Sequence, residues 1–281
     1  MRIVDTASLA GLTDLSEPPT VLYSQGELPA RPAVAIVGTR RADPFAAAFA
    51  HELARSAARA GVWVISGGAD GIDAAAHRGA LDGGGGTLVV QAAALDAPYP
   101  RTQRPLYDAI LAAGGGWLSE TPPGQPARAW RFLARNRIIA ALADAVVVVQ
   151  APLRSGALST ARHARELGRA LYAVPGAPWD PSFEGGVALL RGDASICLGW
   201  RDLEPHLGAA PTETAEAARG PALEGDERVV YDALRVRGQH ADELSSALGI
   251  DSARLRAALV RLQLRELAVE DLYGWRKAPR R

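Results

Sequence analysis

The stretch Ala33-Val34-Ala35-Ile36-Val37-Gly38-Thr39-Arg40 runs five apolar residues, three of them β-branched, into a glycine and a cation. An unbroken apolar run of that length reads as a strand covered on both faces. Residues 44–60 are helical, with Phe45, Phe49, Leu53 and Ala57 four apart as the expected buried face. Gly61 stops that helix, Val62-Trp63-Val64-Ile65 is a second buried strand, and Ser66-Gly67-Gly68 leads into a helix over about 71–81. The alternation continues with strands at 87–91, 116–119, 145–150 and 170–174, and with helices at 104–113, 127–142 and 158–167. Such alternation predicts an α/β, Rossmann-like parallel sheet with helices on both faces. Right-handed crossovers then gather the strand C-termini on one edge, where ligands bind.

Composition narrows the class. The 281 residues are 48% apolar and 22% charged, with Lys+Arg 31 against Asp+Glu 31. A chain of this length buries a sizeable core without staples, and collagen-like, disordered and disulfide-scaffold classes are excluded. A single cysteine, Cys197, forbids an internal disulfide and suits a reducing compartment. The N-terminus lacks the basic-then-apolar layout of a signal peptide, and no apolar run reaches the ~18 residues of a membrane span. The expectation is a cytoplasmic protein without membrane contact.

The balanced total hides an asymmetry. Between Thr121 and Tyr172 eight arginines (128, 131, 135, 137, 154, 162, 165, 169) face only Asp144 and Glu166, whereas residues 1–30 carry Asp5, Asp14, Glu17 and Glu27 against Arg2. Local sign, not total charge, sets the field a ligand meets. Any one of these arginines could be a solvated surface group; eight in one stretch point to an anionic ligand.

Four segments follow. Residues 1–30 read as an N-terminal extension, 31–206 as the Rossmann-like domain, 207–224 as a Pro/Ala/Gly-rich linker and 225–277 as a small winged-helix-like domain. In the last, a helix at 226–237 presents Val229, Val230, Ala233 and Leu234 on one face. A short helix (241–248), a Gly249-Ile250 turn, a helix capped by Asp251 and a short hairpin at 267–275 are expected to follow.

The strand tips supply candidate ligands. Ser66-Gly67-Gly68-Ala69-Asp70-Gly71 is a strand, a glycine turn and a helix start, a layout that cradles phosphates but equally serves as a tight turn. Ser66 stands where a dinucleotide fingerprint needs its first glycine, and Gln91 stands where it needs a carboxylate, so no nicotinamide cofactor is expected. Ser155-Gly156 repeats the small-residue, helix-start pattern, and Arg40 sits at its own tip. Arg135 and Arg137 lie about 200° apart around a helix, so one can pair with an acid while the other meets a ligand. Phe132 shares a face with Arg135 and is either core or a stacking surface. Catalytic constellations are missing: the histidines (51, 77, 163, 206, 240) lack metal-ligand spacing, and neither a G-x-S-x-G elbow nor a Walker lysine occurs. Asp73 and His77, four apart, are expected to form a satisfied pair on their helix. No metal, cofactor or catalytic residue is assigned.

From Arg31 to Trp200 these motifs resemble, in continuous order, the DprA/Smf DNA-processing family. The resemblance rests on Val37-Gly38-Thr39-Arg40, Ser66 to Asp73 with Ala76-His77, Tyr99-Pro100 and Ser119-Glu120. It continues through Arg135-Asn136-Arg137-Ile138-Ile139-Ala140, Ser155 to Ala161, and Gly168-Arg169 to Val174-Pro175-Gly176. It implies a non-enzymatic protein that binds single-stranded DNA, dimerises and helps load a RecA-type recombinase during DNA uptake, transformation and homologous recombination. Carried over by position, the DNA pocket comprises Arg40, Ser66, Gly67, Gly68, Phe132, Arg135, Asn136, Arg137, Ser155 and Gly156. Asp70 departs from the family by standing where a basic residue is usual, as do Leu133 for a proline, Gln150 for an acid and Val187 for an asparagine. The family's frequent helical N-terminal domain is not expected in the 30 residues before the first strand.

Two other classes compete. A LOG-type phosphoribohydrolase on a similar fold needs a carboxylate where Thr160-Ala161-Arg162-His163 places histidine. A transcription regulator led by the C-terminal domain is weakened by its near-balanced charge, eleven basic against nine acidic over residues 226–281.

Overall fold

A computed structural model describes residues 1–29, 32–207, 223, 225–234, 239–265, 267–271 and 274–277. The chain divides into two compact units, 1–212 and 213–281. The first holds strands β1 (Arg2–Val4), β2 (Leu22–Gly26) and β3 (Ala33–Val37), helix α1 (Pro44–Arg59), β4 (Trp63–Ser66) and α2 (Ile72–Asp82). Then come β5 (Thr87–Gln91), α3 (Arg104–Ala112), β6 (Gly116–Ser119), α4 (Ala129–Leu142), β7 (Ala145–Val148) and α5 (Ala157–Glu166). The unit closes with β8 (Ala170–Ala173), α6 (Glu184–Leu190), β9 (Ser195–Ile196) and α7 (Glu204–Leu207).

These strands form one sheet in the order β1-β2-β6-β5-β4-β3-β7-β8-β9. From β6 to β9 every pairing is parallel, as expected of an α/β chain; β1 and β2 add antiparallel to the β6 edge. Residues 1–30, read from sequence as an extension, thus supply two edge strands and cover one end of the core with Leu9, Leu12 and Leu15. Both faces of the central strands are buried. In β3, Ala33, Ala35 and Val37 face the layer of α4 and α5, while Val34 and Ile36 face α1 and α2. That two-residue alternation with apolar residues on both sides is why the run is unbroken in sequence.

Two helix faces differ from expectation. On α1 the buried apolar residues are Ala46, Ala50, Leu53, Ala54, Ala57 and Ala58, with Arg55 buried beside them, whereas Phe45 is 87% exposed and Phe49 only half-buried. The reason lies across the interface: α1 and α2 approach so closely that a Cβ on Gly79 would collide with the His51 carbonyl. Only small side chains fit that crossing, so the aromatic residues are displaced to its rim. Asp73 and His77 likewise do not pair. Thr87 donates its hydroxyl proton to the Val64 carbonyl at 2.7 Å, so its oxygen accepts from His77 Nδ1 at 2.8 Å. His77 is therefore the neutral Nδ1–H tautomer.

Burial, with Arg135 and Arg78 nearby, holds His77 down at about 3. An unfolded chain protonates this ring below about pH 6.5, so the folded state is disfavoured as pH falls from 6.5 toward 3. The cost at pH 5 is about 2 kcal/mol. Asp73, pushed up chiefly by burial, acts in the opposite direction. We therefore expect His77→Gln, whose amide still donates to Thr87, to lose about 4–8 °C less in melting temperature than the parent between pH 7.5 and pH 5. Parallel losses in the two proteins would contradict a neutral, buried His77.

The second unit holds α8 (Gly225–Ala233), α9 (Ala241–Leu248), α10 (Ser252–Leu264) and the antiparallel hairpin β10 (Ala268–Asp271) and β11 (Gly274–Lys277), a winged-helix layout. Asp251 caps α10 by accepting from Ala253 N at 2.6 Å and Arg254 N at 3.4 Å. The core uses Val230, Tyr231 and Leu234 from the first helix and its continuation, while Val229 is 46% exposed rather than buried. Most of the expected linker, residues 208–222 and 224, lies outside the described residues.

Candidate functional site

Strand order reverses at β3. The chain leaves it toward β4, β5 and β6, then returns to β7 on its other side. Val37 pairs with Val148, and Thr39 N donates to the Gln150 carbonyl at 2.7 Å, so the two tips are held side by side beyond the strands. Crossovers departing in opposite directions leave a crevice outside such strand ends. A cleft of about 560 Å³ opens there, walled by Gly38, Arg40 and Arg41 from the β3 tip, Arg154, Ser155 and Gly156 after β7, and Phe132 and Asn136 from α4.

Its rim is cationic. Arg40, Arg41 and Arg154 are exposed, and none has an ion-pair partner among the described residues. The Arg40 guanidinium lies 4.9 Å from the Phe132 ring centroid, and Tyr99 meets the same ring edge-on at 5.6 Å. Phe132 is thus half-buried between a cation and an aromatic edge rather than in the core.

The floor is rigid. Arg135 is 8% exposed, and its Nη1 donates to the carbonyls of Gly67, at 2.7 Å, and Val90 while Nε donates to Asn136 Oδ1 at 3.2 Å. Burial draws its guanidinium down to about 10 while Asp73 and Tyr107 hold it up, so it is cationic at neutral pH. Burial pushes the Asp73 carboxyl up, opposed first by Arg135 and then by the Ala69 N–H. Gly67 must be glycine because a Cβ there would sit 2.5 Å from the Arg135 guanidinium. Asn136 Nδ2 donates to the Gly156 carbonyl at 3.0 Å, locking α4 to the start of α5, and Ser155 Oγ accepts from Ala157 N at 3.3 Å.

Six of the ten residues singled out from sequence therefore meet at one cleft: Arg40, Phe132, Arg135, Asn136, Ser155 and Gly156. Gly67 lines a small adjoining recess with Arg40, Asp70, Tyr99 and Phe132. Ser66 and Gly68 lie behind the wall. Ser66 is fully buried and donates to the Ile36 carbonyl at 2.6 Å, and the Gly68 carbonyl accepts from Tyr107. Arg137 lies on the other side of α4, as the 200° separation requires, in a bidentate pair with Glu120 at 2.9 and 2.8 Å. Arg41 and Arg154 flank the motifs quoted from sequence without being assigned to the pocket, and Tyr99, quoted there in Tyr99-Pro100, was given no place in it. Asp70 does not cap α2, whose N-cap is Gly71; it is exposed and accepts from Gln103 Nε2 at 2.6 Å.

In the second unit three arginines of α10 and its C-terminal cap are committed internally, while Arg256 is exposed. Arg254 pairs with Asp226 at 2.8 Å, and Arg261 and Arg265 pair with Glu227 at 2.7 and 3.1 Å. A helix reading a nucleic-acid groove would need those groups outward.

Two family models match the chain, DNA recombination-mediator protein A over residues 4–207 and DprA winged helix domain over 213–270. It is 42% identical over 262 residues to a DNA processing protein DprA of Mycobacterium tuberculosis, covering 89% of this chain and 66% of that relative. The chain thus spans slightly under two thirds of that protein. Against the DNA processing protein DprA of Bacillus subtilis it is 35% identical over 199 residues, 70% of this chain and 67% of the relative. The solved structure of DNA processing protein A from Streptococcus pneumoniae superposes with a TM-score of 0.65 at 34% identity, over 70% of each chain. That of DNA processing protein A from Helicobacter pylori, described for its single-stranded DNA binding mode, gives 0.63 at 32% identity, over 69% of this chain and 89% of that one.

Proposed function

The chain belongs to the DNA recombination-mediator protein A family, and from that membership and the cleft we propose that it is a non-catalytic, DNA-processing binder of single-stranded DNA. One observation carries the reading: three exposed guanidinium groups, without ion-pair partners among the described residues, line the same cleft as the half-buried Phe132 ring at the sheet's switch point, Arg40 lying over that ring. Phosphates meet Arg40, Arg41 and Arg154, while an unstacked base lies against Phe132. Duplex bases are stacked on one another and cannot reach the ring. Contacts to phosphates and to a ring face carry no base identity, so little sequence preference is expected.

Fluorescence anisotropy with oligo-dT and a duplex control tests this. Three phosphate contacts on a single strand give a slope of about −2 for log affinity against log salt. A flat salt response, or preference for duplex, would overturn the reading. Asp70, exposed beside Arg40 and bonded to the neutral Gln103 amide, repels a phosphate passing the recess. Asp70→Lys should tighten single-strand binding about fivefold and steepen the slope by about 0.7. Because Asp70 caps nothing, its melting temperature should stay within about 2 °C of the parent. Unchanged affinity would place the strand away from this recess.

We extend the proposal to loading a RecA-type recombinase onto the bound strand and to self-association. Ile196 and Leu198, exposed at the last strand of the sheet, favour a second copy there. Light scattering of the purified chain tests the dimer. The hydrolase alternative is disfavoured because His163, where the catalytic carboxylate would stand, is bonded to Glu166 at 2.9 Å.

A further inference from the structure

A second and larger cleft, about 910 Å³, lies on the opposite side of the first turns of α4. It is reached from the first across Leu133 and Arg135, which line both, and Leu133 is 53% exposed on the saddle between them. We propose that this cleft is a second subsite for the same single strand, taking a base on Trp130 and phosphate on Arg131 and Arg162. This rests on the single-strand reading above and extends it to a longer footprint.

The second cleft repeats the chemistry of the first. Each has an accessible aromatic ring with a guanidinium over it: Arg40 lies 4.9 Å from the Phe132 centroid, and Arg131 lies 5.3 Å from the Trp130 centroid. Trp130 is 61% exposed, an unusual place for a large indole unless a partner covers it. Among the described residues Arg131 is steadied by neutral groups alone, the Pro126 carbonyl at 3.0 Å and the Gln125 side chain, so its charge is uncancelled. Arg162 reaches Glu166 only at 3.8 Å and is mostly exposed. Glu120 in the wall is neutralised by Arg137, leaving Glu17 as the other acid there. Gln91, also in this wall, has a side-chain Nε2 without a hydrogen-bond partner among the described residues. A ring with a guanidinium over it, with a second cation and a spare amide donor in the same cleft, suits a nucleotide's base and phosphate together.

The saddle fits the same reading. Leu133 stands where the resembling family usually has a proline, and its exposed side chain offers an apolar surface over which a strand passes from Phe132 to Trp130. The clefts share one helix, so occupation of both needs no rearrangement of the domain.

The test uses the full chain, with oligo-dT of about 5 and about 20 nucleotides, lengths chosen to fill one cleft and then both. The variant Trp130→Ala with Arg162→Glu should weaken binding of the long oligonucleotide about tenfold and leave the short one within about twofold. Trp130→Phe, which keeps a stacking face, should bind the long oligonucleotide like the parent. Arg40→Ala should weaken both lengths. If the double variant binds the long oligonucleotide as the parent does, the second subsite is wrong while the first stands. If it weakens both lengths equally, the two clefts are not separate subsites and the inference is again wrong. If the parent binds neither length, the single-strand reading itself fails, a result distinct from both.

Discussion

Arg135→Ala is expected to lower the melting temperature of the first unit by roughly 6–20 °C. Although it lies at the cleft, Arg135 is 8% exposed and holds the tips of β4 and β5 through the carbonyls of Gly67 and Val90. It is also the principal positive charge acting on buried Asp73. Its removal leaves two buried acceptors unpaired and a buried carboxyl without its counter-charge, a loss of about 3–5 kcal/mol. For a unit of this size each kcal/mol shifts the midpoint by about 2–4 °C. Arg135→Lys should recover only part of the loss, since an ammonium cannot reproduce the planar fork. Thermal denaturation followed by circular dichroism reads the effect. A variant melting within about 2 °C of the parent but failing to bind DNA would show that Arg135 is a free ligand instead.

Arg40→Glu combined with Arg154→Glu should do the reverse: weaken single-strand binding by roughly 1,000-fold with the fold intact. A guanidinium and a phosphate ~6 Å apart attract by roughly 3 kcal/mol at an effective dielectric near 20, and by ~1 kcal/mol after solvent screening. Reversal replaces each gain with a similar penalty, so two sites amount to ~4 kcal/mol. Both side chains are exposed and without ion-pair partners among the described residues, so little packing is disturbed. The salt slope should also flatten, because two phosphate contacts are gone. Unchanged affinity would remove the phosphates from this rim.

Opposite outcomes for two arginines mark how far the amino-acid sequence alone conveys this molecule. The strands were legible because burial on both faces leaves an unbroken apolar run; β5 (Thr87–Gln91) and β6 (Gly116–Ser119) match their expected bounds. The antiparallel edge was not, because β1 (Arg2–Val4) is three residues long and its pairing with β2 is non-local. On α1 the four-residue spacing of Phe45, Phe49 and Leu53 mimicked a buried face, yet alanines occupy the crossing with α2. The site was legible as a set of strand tips but not as a set of roles. Arg40, Arg135 and Arg137 look alike in sequence; one lies over an aromatic ring, one clamps main-chain carbonyls and one is bound to Glu120. Which role each takes depends on partners 17 to 68 positions away for the last two. The pairing of Asp73 with His77 failed for a related reason: Thr87, ten residues on, is the nearer partner of the imidazole.

The most direct test of the cleft is photocrosslinking with an oligonucleotide carrying halogenated uracils, followed by mass spectrometry of the attached peptides. A base held against Phe132, with Tyr99 at its edge, should attach to the peptides bearing those residues, and Arg40→Glu with Arg154→Glu should abolish the products. Crosslinks confined to residues 225–277, or products at α4 that persist in that variant, would contradict a strand bound at the switch point of the sheet.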